Sequence, residues 1–180
     1  MKRLGIQIVF IAAIAVFMQS CSRSVTRIDP DKEIDISGKW NDVDSKLTAE
    51  AMVDQILSEL WLKNHMRDIK EKPVVIVGFV KNKSHEHIDA ETFMKDIEKS
   101  FITSQKVRLV QGGEKREAIR GERADQQDNS SVSTMKKWGL EVGADYMLQG
   151  SINSIVDALD RKKVVYYQID LELTNIQTNE

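Results

Sequence analysis

Between residues 48 and 67 apolar side chains recur at intervals of three and four: Met52, Val53, Ile56, Leu57, Leu60 and Trp61. That spacing puts them on one stripe of a helix, with Thr48 as its N-cap and Glu50 in the first turn, where the helix dipole favours an acid. Pro73 closes the polar stretch that follows. The run VVIVGFV, residues 74–80, is unbroken and rich in β-branched residues, the pattern of a strand covered on both faces and so of a sheet centre. A second helix is expected from a cap at Asp89 to about Ser104, with Phe93, Ile97 and Phe101 on one face. A short strand over 107–110 stops at Gly112 and Gly113.

The pattern then changes to charge. Residues 114–131 carry only Ala118, Ile119 and Ala124 as aliphatic side chains, which predicts a helix with a thin buried edge, frayed at Gly121. Ser133 is placed to cap a further helix with Met135, Trp138 and Val142 facing inward and Gly143 as its left-handed terminal residue. Two strands follow, over 146–156 and 164–173, read as an antiparallel pair joined by 158–162. In the second, Val165, Tyr167, Ile169, Leu171 and Leu173 share one side and Gln168, Asp170 and Glu172 the other. The order helix, strand, helix, strand, helix, helix, strand, strand predicts an α/β domain, a mixed β-sheet flanked by helices. No repeat of 20 to 50 residues is visible.

Upstream of this domain the chain has a different character. Lys2 and Arg3 precede an apolar stretch over 4–18 interrupted only by Gly5 and Gln7, and Gln19, Ser20 and Cys21 follow. This is the layout of a secretory signal. Fifteen helical residues span only about 22 Å, short of the roughly 30 Å hydrocarbon core, so a permanent transmembrane helix is the weaker reading. Cys21 is the only cysteine in the chain. With Ser20 before it and Met18 three positions earlier, it resembles a bacterial lipobox, in which the thiol takes a diacylglyceryl group before the signal is cut. Ser22 stands where an Asp would signal retention in the inner membrane, so the resemblance implies the outer membrane, facing the periplasm.

The domain organisation that follows is a signal peptide over 1–20, a lipidated cysteine and linker over 21–46, and a single α/β domain over 47–180. Residues 22–46 are polar, of mixed charge, contain Pro30 and Gly38 and show no period; fully extended they would reach roughly 80–90 Å. Ile34, Ile36 and Trp40 either belong to this tether or dock on the domain.

Composition narrows the chemistry. Lys+Arg number 26 and Asp+Glu 28, a net charge of −2. Removal of 1–20 takes away Lys2 and Arg3 and moves it to −4, so no basic excess exists to meet a phosphate backbone and no nucleic acid partner is expected. One cysteine forbids an intrachain disulfide. The phosphate-, dinucleotide-, hydrolase- and zincin-type motifs are missing, and no cofactor, small-molecule substrate, metal or catalytic residue is expected. His85 and His87 lie at i and i+2 of a loop, but a zinc site would need two more ligands, so they read as a solvated loop or part of a partner surface. His65 is placed to meet a helix C-terminal dipole. Arg116, Arg120 and Arg123 fall on one helical face among Glu114, Glu117 and Glu122. They make either a solvated face laced with weak ion pairs or a recognition patch for an acidic partner surface.

Three passages carry a family signal. Residues 134–155 contain Gly143-Ala144-Asp145-Tyr146 and then Gly150 and Ser151 in a strand. Residues 74–89 hold Asn82, Glu86, His87 and Asp89 after the first strand. The charged helix ends in Gln126-Gln127. With the lipobox, these resemble the LpoB family, outer-membrane lipoproteins that activate penicillin-binding proteins and whose fold is like the amino-terminal domain of TolB. The resemblance implies a nonenzymatic regulator that binds a class A penicillin-binding protein, a bifunctional peptidoglycan synthase, and raises its activity. The Gly-Ala-Asp-Tyr passage is shared with other TolB-like domains, including curli-export lipoproteins, so a subunit of an envelope secretion or surface-organelle assembly is the alternative. In the LpoB pattern a further strand follows the position where this sequence reads Thr178-Asn179-Glu180. Either that strand lies beyond the residues given, or the strand from Val164 keeps an open edge able to take a partner's strand.

Overall fold

A computed structural model describes residues 37–131, 133–134, 136 and 141–180 of the chain. The expected signal, Cys21, Ile34, Ile36, Met135 and Trp138 lie outside the described residues. Among the described residues there are four helices and four strands, in the order α1 (Asp42–Ser58), α2 (Leu60–Asp68), β1 (Val74–Asn82), α3 (Ala90–Ser104), β2 (Arg108–Val110), α4 (Gly113–Asn129), β3 (Tyr146–Leu159) and β4 (Lys162–Asn175).

The first helix begins earlier than its apolar stripe suggests. Asn41 caps it through the N–H groups of Val43 and Asp44, and the Asp44 carboxylate reaches back to the Asn41 N–H, a reciprocal capping box. Residues 42–46, expected in the linker, are therefore helical. Ser45, Ala49, Val53 and Leu57 form the buried stripe. The single helix expected over 48–67 is two, broken at Glu59, whose backbone is extended. Neither Pro nor Gly makes the break. The Ile56 carbonyl, freed at the helix end, accepts the Glu59 N–H at 3.3 Å and the Trp61 indole N–H at 2.6 Å. The turn of the chain leaves Leu60, expected on the stripe, 68% exposed.

The sheet has the order β2-β1-β3-β4, with β1 parallel to both β2 and β3 and β4 antiparallel to β3. This is the mixed α/β sheet that the sequence predicts. As expected, β1 is interior. Its register shifts between Val77 and Val80, where Gly78 admits Gln149 and the Leu148 carbonyl to 3.1 Å from where a Cβ would sit. The shift turns Phe79 outward, with Lys81 Nζ 4.9 Å from its ring centroid.

One face of the sheet carries the core. Val75, Val77, Val80, Leu148 and Ile152 pack with α1 and with Phe93, Ile97 and Phe101 of α3, all three of which are fully buried. Asp89 caps α3 and Gln105, in the left-handed conformation, ends it. On the other side of Ile76, the N-cap Gly112 leads into α4, and an added Cβ there would meet Ile76 Cδ1 at 2.9 Å.

Two expectations about the charged half need correction. No residue of α4 is buried, Ile119 included, because hydrogen bonds and ion pairs hold the helix in place of an apolar edge. Ser133 and Thr134 form a turn, Glu141 to Ala144 have no regular structure, and Gly143 is not left-handed. The helix expected from Ser133 is absent from the residues described there.

Candidate functional site

The last strands make a longer hairpin than their alternation suggests. β3 and β4 pair from Tyr146↔Asn175 to Leu159↔Lys162, and Asp160-Arg161 alone form the turn, with Asp160 at φ 54°. Only the proximal half backs the core: Leu148 and Ile152 are buried, whereas residues 155–164 are all exposed. Five residues at about 3.4 Å each put the tip roughly 17 Å beyond the core. Ile155 faces Tyr166 across the strands, with Val164 and Leu159 further out. These four side chains are 49 to 76% exposed.

The base of the hairpin is where the chain enters the domain. The Trp40 N–H donates to the Tyr167 hydroxyl at 3.2 Å, and the indole packs edge-on against Tyr167 (5.3 Å) and Phe93 (6.0 Å). Trp40 is thus docked, one of the two states left open for it. Tyr167 passes its own proton on, donating to Glu86 at 2.7 Å. That bond, aided by the Trp40 N–H, holds the Glu86 carboxyl below its usual range, while burial pushes the Tyr167 phenol up.

The loop of His85 and His87 is knitted to the same strand pair. The His85 N–H donates to Ser154 Oγ, whose distance to His85 Nδ1 is 2.6 Å, and Asn82 Nδ2 donates to the carbonyls of Glu86 and Ile88. His87 is exposed. Among the described residues no group of three His, Cys, Asp or Glu side chains converges. His65 lies in the last turn of α2 as expected, but its ring is buried, with Nδ1 3.2 Å from the Tyr146 hydroxyl. Both line a cleft of about 670 Å³ shared with Trp61, Asp68, Asn175 and Gln177. Burial pushes the Tyr146 phenol up.

The three arginines of α4 are occupied internally. Arg116 Nε donates to the Gln111 carbonyl at 2.9 Å. Arg120 grips Glu141 through two bonds of 3.1 Å and Glu117 at 2.7 Å, and Arg123 meets Glu141 at 2.7 Å. Arg120 first, then Arg123, hold the Glu141 carboxyl below its ordinary range. Gln127 and Gln126 complete the attachment through the carbonyl and N–H of Lys136. Glu141, 18 residues from Arg123, is a partner that helical spacing has no means of revealing. The full reach of the hairpin was not legible, since no polar and apolar alternation runs through Ile155-Val156-Asp157-Ala158-Leu159 or Lys162-Lys163-Val164-Val165.

Asp145, in the Gly-Ala-Asp-Tyr passage, joins three strands. Its carboxylate accepts the Val74 N–H at 2.7 Å, its N–H donates to the Val74 carbonyl at 2.7 Å, and its carbonyl takes the Ile176 N–H at 2.9 Å. Gly150, later in that passage, lies in β3 as expected. There β4 comes close: an added Cβ would fall into the Asp170 carbonyl oxygen and lie 2.6 Å from Leu171 Cδ2.

A family model described as the peptidoglycan-synthase activator LpoB matches residues 44–180. No curated protein sequence gives a significant match. Among solved structures, the chain is similar to the LpoB C-terminal domains of Salmonella enterica and Escherichia coli, at 16% and 18% identity. Each has a TM-score of 0.45 and covers 76% of this chain and 91% of that one. The solution structure of E. coli LpoB aligns at 17% identity and a TM-score of 0.41, over 91% of this chain and 78% of that one.

Proposed function

The chain belongs to the LpoB family of peptidoglycan-synthase activators, and from that premise we propose that it is a lipid-anchored regulator of a class A penicillin-binding protein. In this reading Cys21 carries the lipid and holds the protein on the outer membrane, facing the periplasm. The domain binds the synthase and raises its activity without catalysing a step itself. The observation that carries the reading is the span of the family match, which runs from within α1 to the end of the chain and takes in the whole sheet.

The physical parts are consistent with such a task. A regulator needs a surface that binds one state of its target better than another, since only differential affinity shifts a population. No described helix is long and apolar enough to cross a membrane. Acyl chains contribute about 0.8 kcal/mol per buried methylene, so two or three on Cys21 suffice for stable attachment. We assign Arg116, Arg120 and Arg123 to bracing α4 through Gln111, Glu117 and Glu141; a recognition patch for an acidic partner surface is the other reading of the three.

Two measurements test this. The full-length protein in detergent, added to the cognate synthase, should increase glycan polymerisation; neither binding nor stimulation would remove the activator reading. Cys21→Ala should release the protein from the membrane fraction, and a variant still wholly membrane-bound would refute the lipid anchor.

A further inference from the structure

The cleft that α2 shares with the start of β3 and the end of β4 is built like a ligand site. Its volume of about 670 Å³ falls within the roughly 300–1,000 Å³ of small-molecule sites. Two aromatic rings supply one part of its lining. Trp61 and Tyr146 pack with their centroids 4.8 Å apart, and the indole N–H is bound to the Ile56 carbonyl, which fixes the ring and leaves only its carbon surface to meet a ligand. Ile69 and Ile176, 60% and 50% exposed, extend that apolar lining.

The polar lining offers hydrogen bonds that the fold leaves open. His65 is only 8% exposed, yet it lines the cleft. The Tyr146 hydroxyl lies 3.2 Å from its Nδ1, and the nearby Asn175 Oδ1 is already taken by the N–H groups of Gln177 and Thr178. The hydroxyl therefore donates to Nδ1, and the imidazole carries a proton on Nε2. No described residue bonds Nε2, and no buried side-chain nitrogen or oxygen among them lacks a partner, so Nε2 opens into the cleft as a donor. The side-chain amides of Asn64 and Gln177 also line it, and neither makes a hydrogen bond among the described residues.

Charge decides the class of ligand. No Lys or Arg lines the cleft, so an anionic group would meet carboxylates without a cation to hold it. A cation is disfavoured as well, because each carboxylate there already has a donor. Arg67 grips Asp68 at 2.7 and 3.1 Å, the Val74 N–H reaches Asp145, and the Thr178 hydroxyl reaches Glu180. What is left is a fixed, flat carbon surface beside neutral donors and acceptors. A sugar ring has the matching two halves, a C–H face for the indole and a rim of hydroxyls for imidazole and amide groups. We propose that this cleft binds a neutral saccharide, with Trp61 as its platform and His65, Asn64 and Gln177 as its hydroxyl partners. The proposal does not rest on the activator reading.

The test uses the full-length protein in a detergent without a sugar head group, which would compete. The probes are an N-acetylglucosamine tetramer and a glucose tetramer, with spermidine and a galacturonate tetramer as the charged alternatives. The indole N–H resonance of Trp61, identified by its loss in Trp61→Phe, reports occupancy. A neutral tetramer should shift it saturably at concentrations up to about 10 mM. Asn64→Ala/Gln177→Ala should weaken that binding at least about fivefold, with circular dichroism and the unfolding midpoint at the parent's values, because neither side chain bonds within the fold. Magnetisation transfer from the indole protons to the bound sugar, measured on the parent, gives the same answer without a variant. Absence of a saturable shift with both neutral tetramers overturns the proposal. So does a shift that the double variant leaves unchanged, and so does tighter binding of spermidine or galacturonate than of either neutral tetramer.

Discussion

Replacing Asp145 by Ala should destabilise the domain by about 2 kcal/mol, although the residue itself is exposed. The loss falls on its partner. Val74 is only 5% exposed, and its N–H finds its acceptor in the Asp145 carboxylate at 2.7 Å. Hydrogen bonds to charged groups contribute about 1.5–3 kcal/mol, and a buried donor left without an acceptor costs about 1–3 kcal/mol. The backbone bonds between Asp145 and Val74 and between Ile176 and Asp145 survive the change, which keeps the figure near the middle of that range. For a domain of this size each kcal/mol moves the melting midpoint by about 2–4 °C, so a drop of roughly 4–8 °C is expected. Urea unfolding followed by far-UV circular dichroism, on protein produced without its lipid, would measure it. Hydrogen exchange at the Val74 amide would locate it. Asp145→Asn keeps an acceptor and should cost less than half as much. An Ala variant within about 0.5 kcal/mol of the parent, or an Asn variant as damaging as Ala, would refute the reasoning.

Gly150→Ala should cost at least about 1–3 kcal/mol in the same denaturation experiment, because the new methyl meets the Asp170 carbonyl, which moves only if the β3–β4 ladder opens. Tyr167→Phe should raise the Glu86 pKa toward its ordinary 4.5, since the phenol hydrogen bond is the largest cause of its depression; an NMR titration of the Glu86 carboxyl reads this directly. Glu141 has a folded pKa below its ordinary 4.5, so its contribution is complete above that value and disappears as pH falls through the folded pKa. Acidification through that window should raise hydrogen exchange in α4 before it does so in α3, and equal responses of the two helices would count against the role given to Glu141.

How much of this was legible in the sequence depends on what each element relies on. α3 was readable almost to the residue, because Asp89, the fourfold spacing of Phe93, Ile97 and Phe101, and its polar end are local signals that agree with the packing. β4 was readable for the same reason, its alternation matching its two faces. The break at Glu59 was not, since it depends on an indole reaching back to the Ile56 carbonyl, and no breaker residue marks it. The start of α1 was missed although Asn41 and Asp44 spell a capping box, because the apolar stripe that drew attention begins a turn later. Arg116, Arg120 and Arg123 looked like one surface feature along the helix. Their contacts depend on Gln111 and Glu141, residues outside that helix. The family passage was recognisable as a pattern, whereas the reason for its Asp and its Gly lies in β1 and β4, far away in sequence.

The docking of Trp40 has a mechanical meaning. A pull arriving along the backbone at residue 40 meets this anchor before it meets Asn41. The bond to Tyr167 and the ring contacts with Tyr167 and Phe93 must therefore yield before the cap of α1 is loaded. Tension is passed into β4 and α3 rather than to a helix end, where fraying begins most easily. Because Tyr167 also holds Glu86, and Ser154 of the neighbouring strand holds His85, the load arrives at the root of the projecting hairpin. A force that arrives at Trp40 is thereby felt first at the base of the projecting hairpin.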